Sequence, residues 1–331
     1  MKTYHHFASW ALGQPWAVTP QMLHTIQAIL GERVMGRIPN PEEIAARVEA
    51  AGGRGRAAGP GGSISGAIAM MPVYGVIMQR MGMLEEISGG TSTEALSRQF
   101  RALVADPSVG TIVLDIDSPG GGVYGVQEFA EEVFLAREKK RVVAVANSLA
   151  ASAAYWIASA AEEIVVTPGG EVGSIGVYML HEDWSGAYEA AGVTPTLIRF
   201  GDNKGEGLPA IPLDDTAKAH FQERVDAYGR AFVDAVARNR RVSSATVMQD
   251  FGQGLVFGSR DAVRWKLADR VETLGQTIER LATGPLGGMK RDIGAVADPQ
   301  TDSYEDAQID GLKAIAMRDI ARARLELARR H

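Results

Sequence analysis

Apolar strands and amphipathic helices alternate through the middle of the chain. Short runs of apolar or β-branched residues predict buried strands, and they cover residues 67–79, 111–117, 141–149, 164–167, 174–180 and 194–199. Apolar residues at helical spacing predict helices, over residues 93–105, 126–133, 153–161, 184–191, 213–240 and 276–281. A further helix and strand are expected within 259–271. This alternation favours an α/β fold with mainly parallel strands.

Segments without core strands flank this α/β body on both sides. Helical spacing predicts two helices at residues 19–34 and 41–51, followed over 52–66 by a flexible linker rich in Gly, Arg and Ser. Periodicity disappears after the body and returns between Lys313 and Arg330, where basic side chains outnumber acidic ones. That basic helix is either a docking element or simply a solvated helix. The expected parts are a helical arm with its linker at 1–66, a folded domain at 67–282, and a flexible linker with a basic C-terminal helix at 283–331.

Charge and cysteine content exclude several classes of function. The net charge of −6 gives no general reason to expect nucleic-acid binding. The absence of cysteine removes disulfides, thiolate metal sites and cysteine nucleophiles. Residues 1–13 lack the apolar core of a secretory signal, and the longest apolar run, 67–78, is too short to span a bilayer. We therefore expect a soluble, intracellular protein with neither nucleic acid nor membrane as a partner.

Ser152 lies where a predicted strand passes into a predicted helix. Small residues surround it in the sequence Ala150-Ala151-Ser152-Ala153-Ala154. A serine at such a turn can present its hydroxyl to a substrate while backbone N–H groups point at the same place. It can equally be a helix cap or a small packed residue, which is the commoner situation.

Residues Gly120 to Gly125 spell G-x-G-x-x-G after a strand and before a helix. This is the pattern of a dinucleotide-binding turn, but the acidic residue that should end the next strand is missing, because that strand ends in Asn147-Ser148-Leu149. Two other interpretations stay open. The glycines either leave N–H groups pointing into a cleft as an oxyanion hole, or they only form a tight turn.

A serine nucleophile needs a base, and few candidates are available. Histidine is the usual one, and His181 and His220 are the histidines outside the arm and the terminus. Lysine is the other known partner, and Lys204 and Lys218 are the lysines between Arg141 and Trp265. Lys218 is best explained as a solvated charge near a helix start. Lys204 follows a predicted strand within a Gly-rich loop, from which its amine could reach inward if burial lowered its pKa.

Four motifs together resemble the signal peptide peptidase A family of serine peptidases. In chain order they are Asp117-Ser118-Pro119-Gly120-Gly121, the stretch Ser148 to Tyr155 around Ser152, Gly173-Ser174-Ile175-Gly176-Val177, and the loop 201–205 with Lys204. Each motif is weak alone, but their order and spacing match across about residues 67–281. Ala153 and Ala154 stand where many relatives have a glycine pair.

The resemblance implies a ClpP/crotonase-like spiral of strand-strand-helix units and a Ser–Lys dyad. It assigns Ser152 as the nucleophile, Lys204 as the general base, and the N–H groups of Gly121 and Ala153 as the oxyanion hole. It implies no metal and no cofactor. The family forms homo-oligomeric rings with the active sites on the inner side.

Within that family the chain is similar to the branch of phage capsid (prohead) maturation proteases, found in phages and prophages. The opening Pro15-Trp16-Ala17-Val18 and the arm without a membrane anchor carry this likeness. It implies a serine endopeptidase that cleaves capsid, scaffold or portal proteins in the bacterial host cytoplasm or inside the prohead. The small walls around Ser152 favour small apolar residues in a substrate, and an extended substrate is expected to pair with an exposed strand edge near the glycine turn.

Three alternatives remain at this point. His181 follows Ser152 by about thirty residues, as the base does in enzymes of the ClpP type, so a Ser–His arrangement is a rival to the dyad. A non-enzymatic protein on the same fold could dock on capsid or portal through its arm and tail. A crotonase-type acyl-CoA enzyme shares the fold and the oxyanion turn, but has little use for a loop lysine paired with a serine.

Overall fold

The computed structural model describes residues 14–34, 40–51, 64–65, 67–80 and 90–283. Its strands are β1 Trp16–Val18, β2 Ile64–Ser65, β3 Ile68–Tyr74, β4 Ile77–Met78, β5 Thr91–Ser92, β6 Thr111–Ser118, β7 Gly120–Gly122, β8 Arg141–Ala151, β9 Glu163–Val166, β10 Glu171–Gly173, β11 Val256–Gly258 and β12 Arg270–Val271. Its helices are α1 Pro20–Val34, α2 Pro41–Ala50, α3 Thr93–Ala105, α4 Val126–Ala136, α5 Ala153–Ser159, α6 Ser185–Ala190, α7 Asp215–Arg240, α8 Ser244–Asp250, α9 Ser259–Arg264 and α10 Leu274–Thr283.

A mostly parallel sheet forms the centre of the fold. Its strand order is β11-β10-β8-β6-β3-β2, and β9 pairs with both β8 and β12. The pairs β3–β6, β6–β8 and β8–β9 are parallel, as the largely apolar sequences of these strands predict. The pairs β2–β3 and β10–β11 are antiparallel and lie at the two ends of that strand order. The predicted α/β fold with mainly parallel strands is confirmed.

A second, four-stranded sheet carries the glycine motif. Its order is β1-β7-β4-β5. Strand β7 is antiparallel to β1 along all three glycines and parallel to β4 at Gly121, so this central glycine has a backbone neighbour on each side. The turn before β7 is held by Ser118, whose hydroxyl donates to the carbonyl of Gly75 (2.6 Å) and accepts from the N–H of Gly120 (3.2 Å).

Three apolar clusters hold these layers together. The largest covers one face of the central sheet with α3, α4, α5 and α7, and at its centre the rings of Trp156 and Phe232 stack 4.5 Å apart. A smaller cluster on the other face includes Val143 and Leu281, the latter from α10. The third joins α1 and α2 to β1 and β4, with Trp16 completely buried. The arm strand is thus part of the folded body, whereas the division of the chain at residues 66 and 282 stays a prediction.

Several predicted strands differ from those observed. The strand predicted at 67–79 is interrupted at Gly75, which has a positive φ of 68°. The strand predicted at 174–180 is wrong, because the pairing ends at Gly173 and only Tyr178 forms an isolated bridge farther on. The strand predicted at 194–199 is also wrong, since this exposed segment is not a strand and pairs with no strand in the part of the chain that the structure describes. The expected glycine turn at 120–122 is a short strand, because β1 and β4 pair with it.

Some expectations fall on residues outside the described part of the chain. The basic helix between Lys313 and Arg330 and most of the linkers at 52–66 and 283–312 belong to this group. Among the described residues, no helix combines the length and the apolar character needed to cross a membrane.

Candidate active site

Ser152 occupies the junction between β8 and α5. Its backbone has a φ of 56° and a ψ of −117°, an unusual conformation for a residue with a side chain. The carbonyl of Ser152 accepts the first helical bond from Trp156 (2.9 Å), and its N–H donates to the carbonyl of Gly173 (2.7 Å). These two bonds fix the turn from both sides, so that the side chain is held in one place.

The hydroxyl of Ser152 is buried and unpaired. The residue is 1% exposed, and its Oγ has no hydrogen-bond partner among the protein groups that the structure describes. It also does not cap α5, which is the commonest structural use of a serine before a helix. A buried hydroxyl without a partner costs free energy, and such costs concentrate at functional sites.

Gly120 lies directly against the serine. A Cβ atom placed on Gly120 would be 2.9 Å from the Cβ of Ser152 and 2.2 Å from the carbonyl oxygen of Ala17. The φ of Gly120 is +96°, so both the space and the backbone conformation require glycine here. The sequence identified this glycine only as part of a turn, and the contact with Ser152 could not be read from residues that are 32 positions apart.

The two predicted oxyanion donors lie on either side of the serine turn. Ala153 is the first residue of α5, where backbone N–H groups have no partner within the helix. Gly121 is the central residue of β7, and its register partner on β1 is Ala17. The strand edge near the glycine turn, which the sequence predicted to be exposed, is therefore covered by β1.

Lys204 lies on an exposed turn in the segment without helix or strand that connects α6 to α7. Its N–H donates to the carbonyl of Gly201 (3.1 Å), and its side chain is exposed. Two residues later, Glu206 binds Nδ1 of His220 on α7 (3.0 Å), which fastens the turn to that helix. Because Ser152 Oγ has no partner among the described groups, the structure does not join Ser152 and Lys204 by a hydrogen bond.

His181 is not bonded to Ser152 either. The residue is half-buried, and its Nε2 is buried without a partner among the described protein groups. The structure therefore brings the candidate nucleophile Ser152, the glycine strand and the first turn of α5 together, and it joins neither candidate base, Lys204 or His181, to Ser152 Oγ by a hydrogen bond.

His220, the other histidine candidate, forms an ion pair with Glu206. The carboxylate of Glu206 raises the pKa of His220, first by hydrogen bonding and then by its charge. His220 is exposed on α7. It fastens the Lys204 turn, and among the described groups it forms no hydrogen bond with Ser152 Oγ.

Comparison with known proteins agrees with the motifs. Residues 135–285 match the model of peptidase family S49. The head-tail preconnector protein GP5 of Enterobacteria phage P21 is 34% identical over 216 residues, which cover 65% of this chain and 43% of that protein. Capsid assembly protease C of Escherichia phage lambda is 34% identical over 204 residues, covering 62% of this chain and 46% of the relative. The chain thus spans less than half the length of these two relatives.

A more distant relative extends the similarity beyond phages. The chloroplastic serine protease SPPA of Arabidopsis thaliana is 28% identical over 212 residues, which are 64% of this chain and 31% of that protein. The matched family region begins before β8 and includes Ser152, the Gly173 motif and Lys204. Residues 135–285 are therefore similar to peptidase family S49, and the mixed α/β architecture is consistent with the ClpP-like fold of that family.

Proposed function

We propose that the protein is a serine endopeptidase and that Ser152 is its nucleophile. The observation that carries the proposal is the hydroxyl of Ser152, which is buried and unpaired at a positive-φ turn and lies against a glycine that admits no side chain. A serine kept only for packing or capping would have no need of this conformation.

The proposed chemistry proceeds through an acyl-enzyme. Ser152 Oγ attacks the carbonyl carbon of a peptide bond while the neutral amine of Lys204 accepts its proton. The N–H groups of Gly121 and Ala153 stabilise the oxyanion that forms. Lys204 then returns the proton to the departing amine, and water hydrolyses the ester between substrate and Ser152 by the same steps.

The exposed position of Lys204 suggests that a second copy of the chain completes the site. Large apolar side chains are exposed along the same segment, including Trp184 (51%), Ile198 (93%) and Phe200 (100%). Such a patch is typical of a protein interface. Its burial in a homo-oligomeric ring would remove water from the Lys204 turn, and a desolvated lysine favours the neutral amine that a general base must have. We therefore propose a homo-oligomer as the active form.

The proposed substrates are proteins of phage head assembly. Two relatives are named for this process, as a capsid assembly protease and as a head-tail preconnector protein. Capsid, scaffold or portal proteins made in the bacterial host are accordingly the first candidates for cleavage. The small residues on both sides of Ser152 favour cleavage after small apolar residues.

The experiment is mass spectrometry of the purified protein incubated with candidate capsid, scaffold and portal proteins of a phage head. Wild type is compared with Ser152→Ala, whose fold should be unchanged because Oγ makes no hydrogen bond in the described structure. New peptide termini that depend on Ser152 support the proposal. A folded, oligomeric wild-type protein that produces none of them, with and without these partners, supports instead a non-enzymatic assembly role.

A further inference from the structure

The arm strand β1 lies along the edge of β7 that an extended substrate would use. The two strands are antiparallel, with Trp16 opposite Gly122, Ala17 opposite Gly121 and Val18 opposite Gly120. Peptides bind to proteases and other receptors in this way, by adding a strand to the edge of a sheet. Here a segment of the chain itself occupies that edge.

The other edge of β1 also has a partner. The N–H of Trp16 donates to the carbonyl of Tyr178 (2.9 Å), and the N–H of Tyr178 donates to the carbonyl of Trp16 (3.0 Å). Tyr178 follows the Gly173 motif, whose first residue binds the N–H of Ser152. Strand β1 is therefore held between β7 and the segment at Tyr178. The first of these contacts Ser152 through Gly120, and the second is connected to it through Gly173.

The carbonyl oxygen of Ala17 in β1 lies close to the candidate site. Its oxygen and the Cβ of Ser152 both approach the point that a side chain on Gly120 would occupy, at 2.2 Å and 2.9 Å from it. The ladder is bonded at Thr19–Pro119 (2.9 Å) and at Pro15–Val123 (3.3 Å). Because bonded and non-bonded pairs alternate in an antiparallel ladder, Ala17 and Gly121 form a bonded pair. The carbonyl of Ala17 thus faces the N–H that we propose for the oxyanion hole.

Polar side chains around β1 are left without partners. Both amide atoms of Gln14, Oγ1 of Thr19 and the hydroxyl of Tyr178 are buried and unpaired among the described protein groups. Burial raises the pKa of Tyr178 to about 12, so its hydroxyl remains a donor. Gln14 and Thr19 flank β1 on the arm itself, so displacement of the arm would let water hydrate polar atoms that are unsatisfied while β1 is in place.

From these contacts we infer that β1 is an internal occupant of the substrate groove, and that a substrate binds by displacing it. The inference rests on the proposed peptidase function. The groove then accepts an extended peptide antiparallel to β7, with a small residue at the position of Ala17. The packing of Trp16 and Val18 against the arm helices keeps the groove closed in the resting protein.

The test compares the rate at which a fluorophosphonate labels Ser152 in full-length wild type and in Ala17→Pro. Proline removes the N–H of residue 17 and cannot keep its place in the ladder. If β1 occupies the groove in nine molecules of ten or more, its release raises the labelling rate about tenfold. The matched control is Leu281→Ala, which loosens the separate apolar cluster on the other face of the central sheet and should label like wild type.

The outcomes separate this inference from the proposed function. Equal labelling of wild type and folded Ala17→Pro overturns the inference and leaves the nucleophile standing. Absence of labelling in both proteins overturns both. Should Ala17→Pro fail to fold, hydrogen exchange in the wild type decides: coupling a peptidyl phosphonate to Ser152 must speed exchange of the Ala17 amide, and unchanged protection of the coupled protein contradicts displacement.

Discussion

The Cβ of Ser152 lies 2.9 Å from the place that a methyl group on Gly120 would take. The glycine strand and the nucleophile turn therefore fit together only because residue 120 has no side chain. This contact sets the distance between the proposed nucleophile and the backbone of β7, and it also places the arm strand, since the same point is 2.2 Å from the carbonyl oxygen of Ala17.

Gly120→Ala should reduce both stability and activity. The new methyl group meets backbone atoms, and alanine is disfavoured at a φ of +96°, so we expect a loss of about 3 kcal/mol in the free energy of unfolding. Urea denaturation measures this loss. Gly169→Ala is the control, since a Cβ there meets nothing within 4 Å and should leave stability nearly unchanged.

Replacing Ser152 by glycine should stabilise the protein while removing the nucleophile. At a φ of 56° and a ψ of −117°, any side chain strains the backbone, so Ser152→Gly is expected to be more stable than Ser152→Ala by about 1 kcal/mol. Thermal or urea unfolding of the two variants compares them. Equal free energies of unfolding would mean that the backbone of the turn at residue 152 is not strained by a side chain.

The base can be identified by three substitutions. Lys204→Met should abolish acylation of Ser152, whereas Lys218→Met, an equally exposed lysine at the start of α7, should retain it. His181→Gln should also retain activity if Lys204 is the base. Burst kinetics with an ester substrate, together with circular dichroism for folding, measures each case. Loss of the burst in folded His181→Gln alone would assign the base to His181.

The pair formed by Glu206 and His220 should give the Lys204 turn a dependence on pH. Since the carboxylate raises the pKa of His220 above its ordinary value, the contribution of the pair is complete below about pH 6.5 and is lost as the pH rises through the raised value. Titration of the His220 imidazole by NMR should show this increase. In Glu206→Gln the pKa of His220 should fall towards its ordinary value. An unchanged pKa of His220 would show that Glu206 does not raise it.

An acidic residue in the apolar segment should break the proposed oligomer. Phe200→Asp is expected to shift the mass measured by light scattering towards the monomer and to abolish cleavage together with it, because the interface buries this fully exposed ring. Leu135→Asp is the matched control, as Leu135 is also exposed (54%) but lies on α4. Full activity of a monomeric Phe200→Asp protein would contradict the role given to assembly.

The sequence predicted the parts of the fold that local patterns determine. Strands β6 and β8 are largely apolar runs, and α3 and α7 have clear helical spacing, so each was found close to its observed position. Strand β10 was missed because Glu171–Gly173 is a strand through its pairing with β8 and β11 rather than through its residues. Residues 194–199 carry β-forming side chains but pair with none of the described strands, so they do not form a strand.

The sequence predicted which residues belong to the candidate site better than it predicted the contacts between them. Ser152 was identified from its position between a strand and a helix, and the turn is where the sequence placed it. The covering of the glycine strand by β1 was missed, because Trp16–Val18 is too short to show a strand period and pairs with residues more than a hundred positions away. The base remains a prediction, since no hydrogen bond joins Ser152 Oγ to any described group.

The most direct test of the central claim is to locate the residue that a fluorophosphonate modifies. The assembled wild-type protein and Ala17→Pro are labelled, digested and mapped by mass spectrometry, with Ser152→Ala as the control. The account predicts a single adduct on the peptide that contains Ser152, and none in Ser152→Ala. An adduct on another serine, or a folded and assembled protein that forms no adduct in either background, would contradict it.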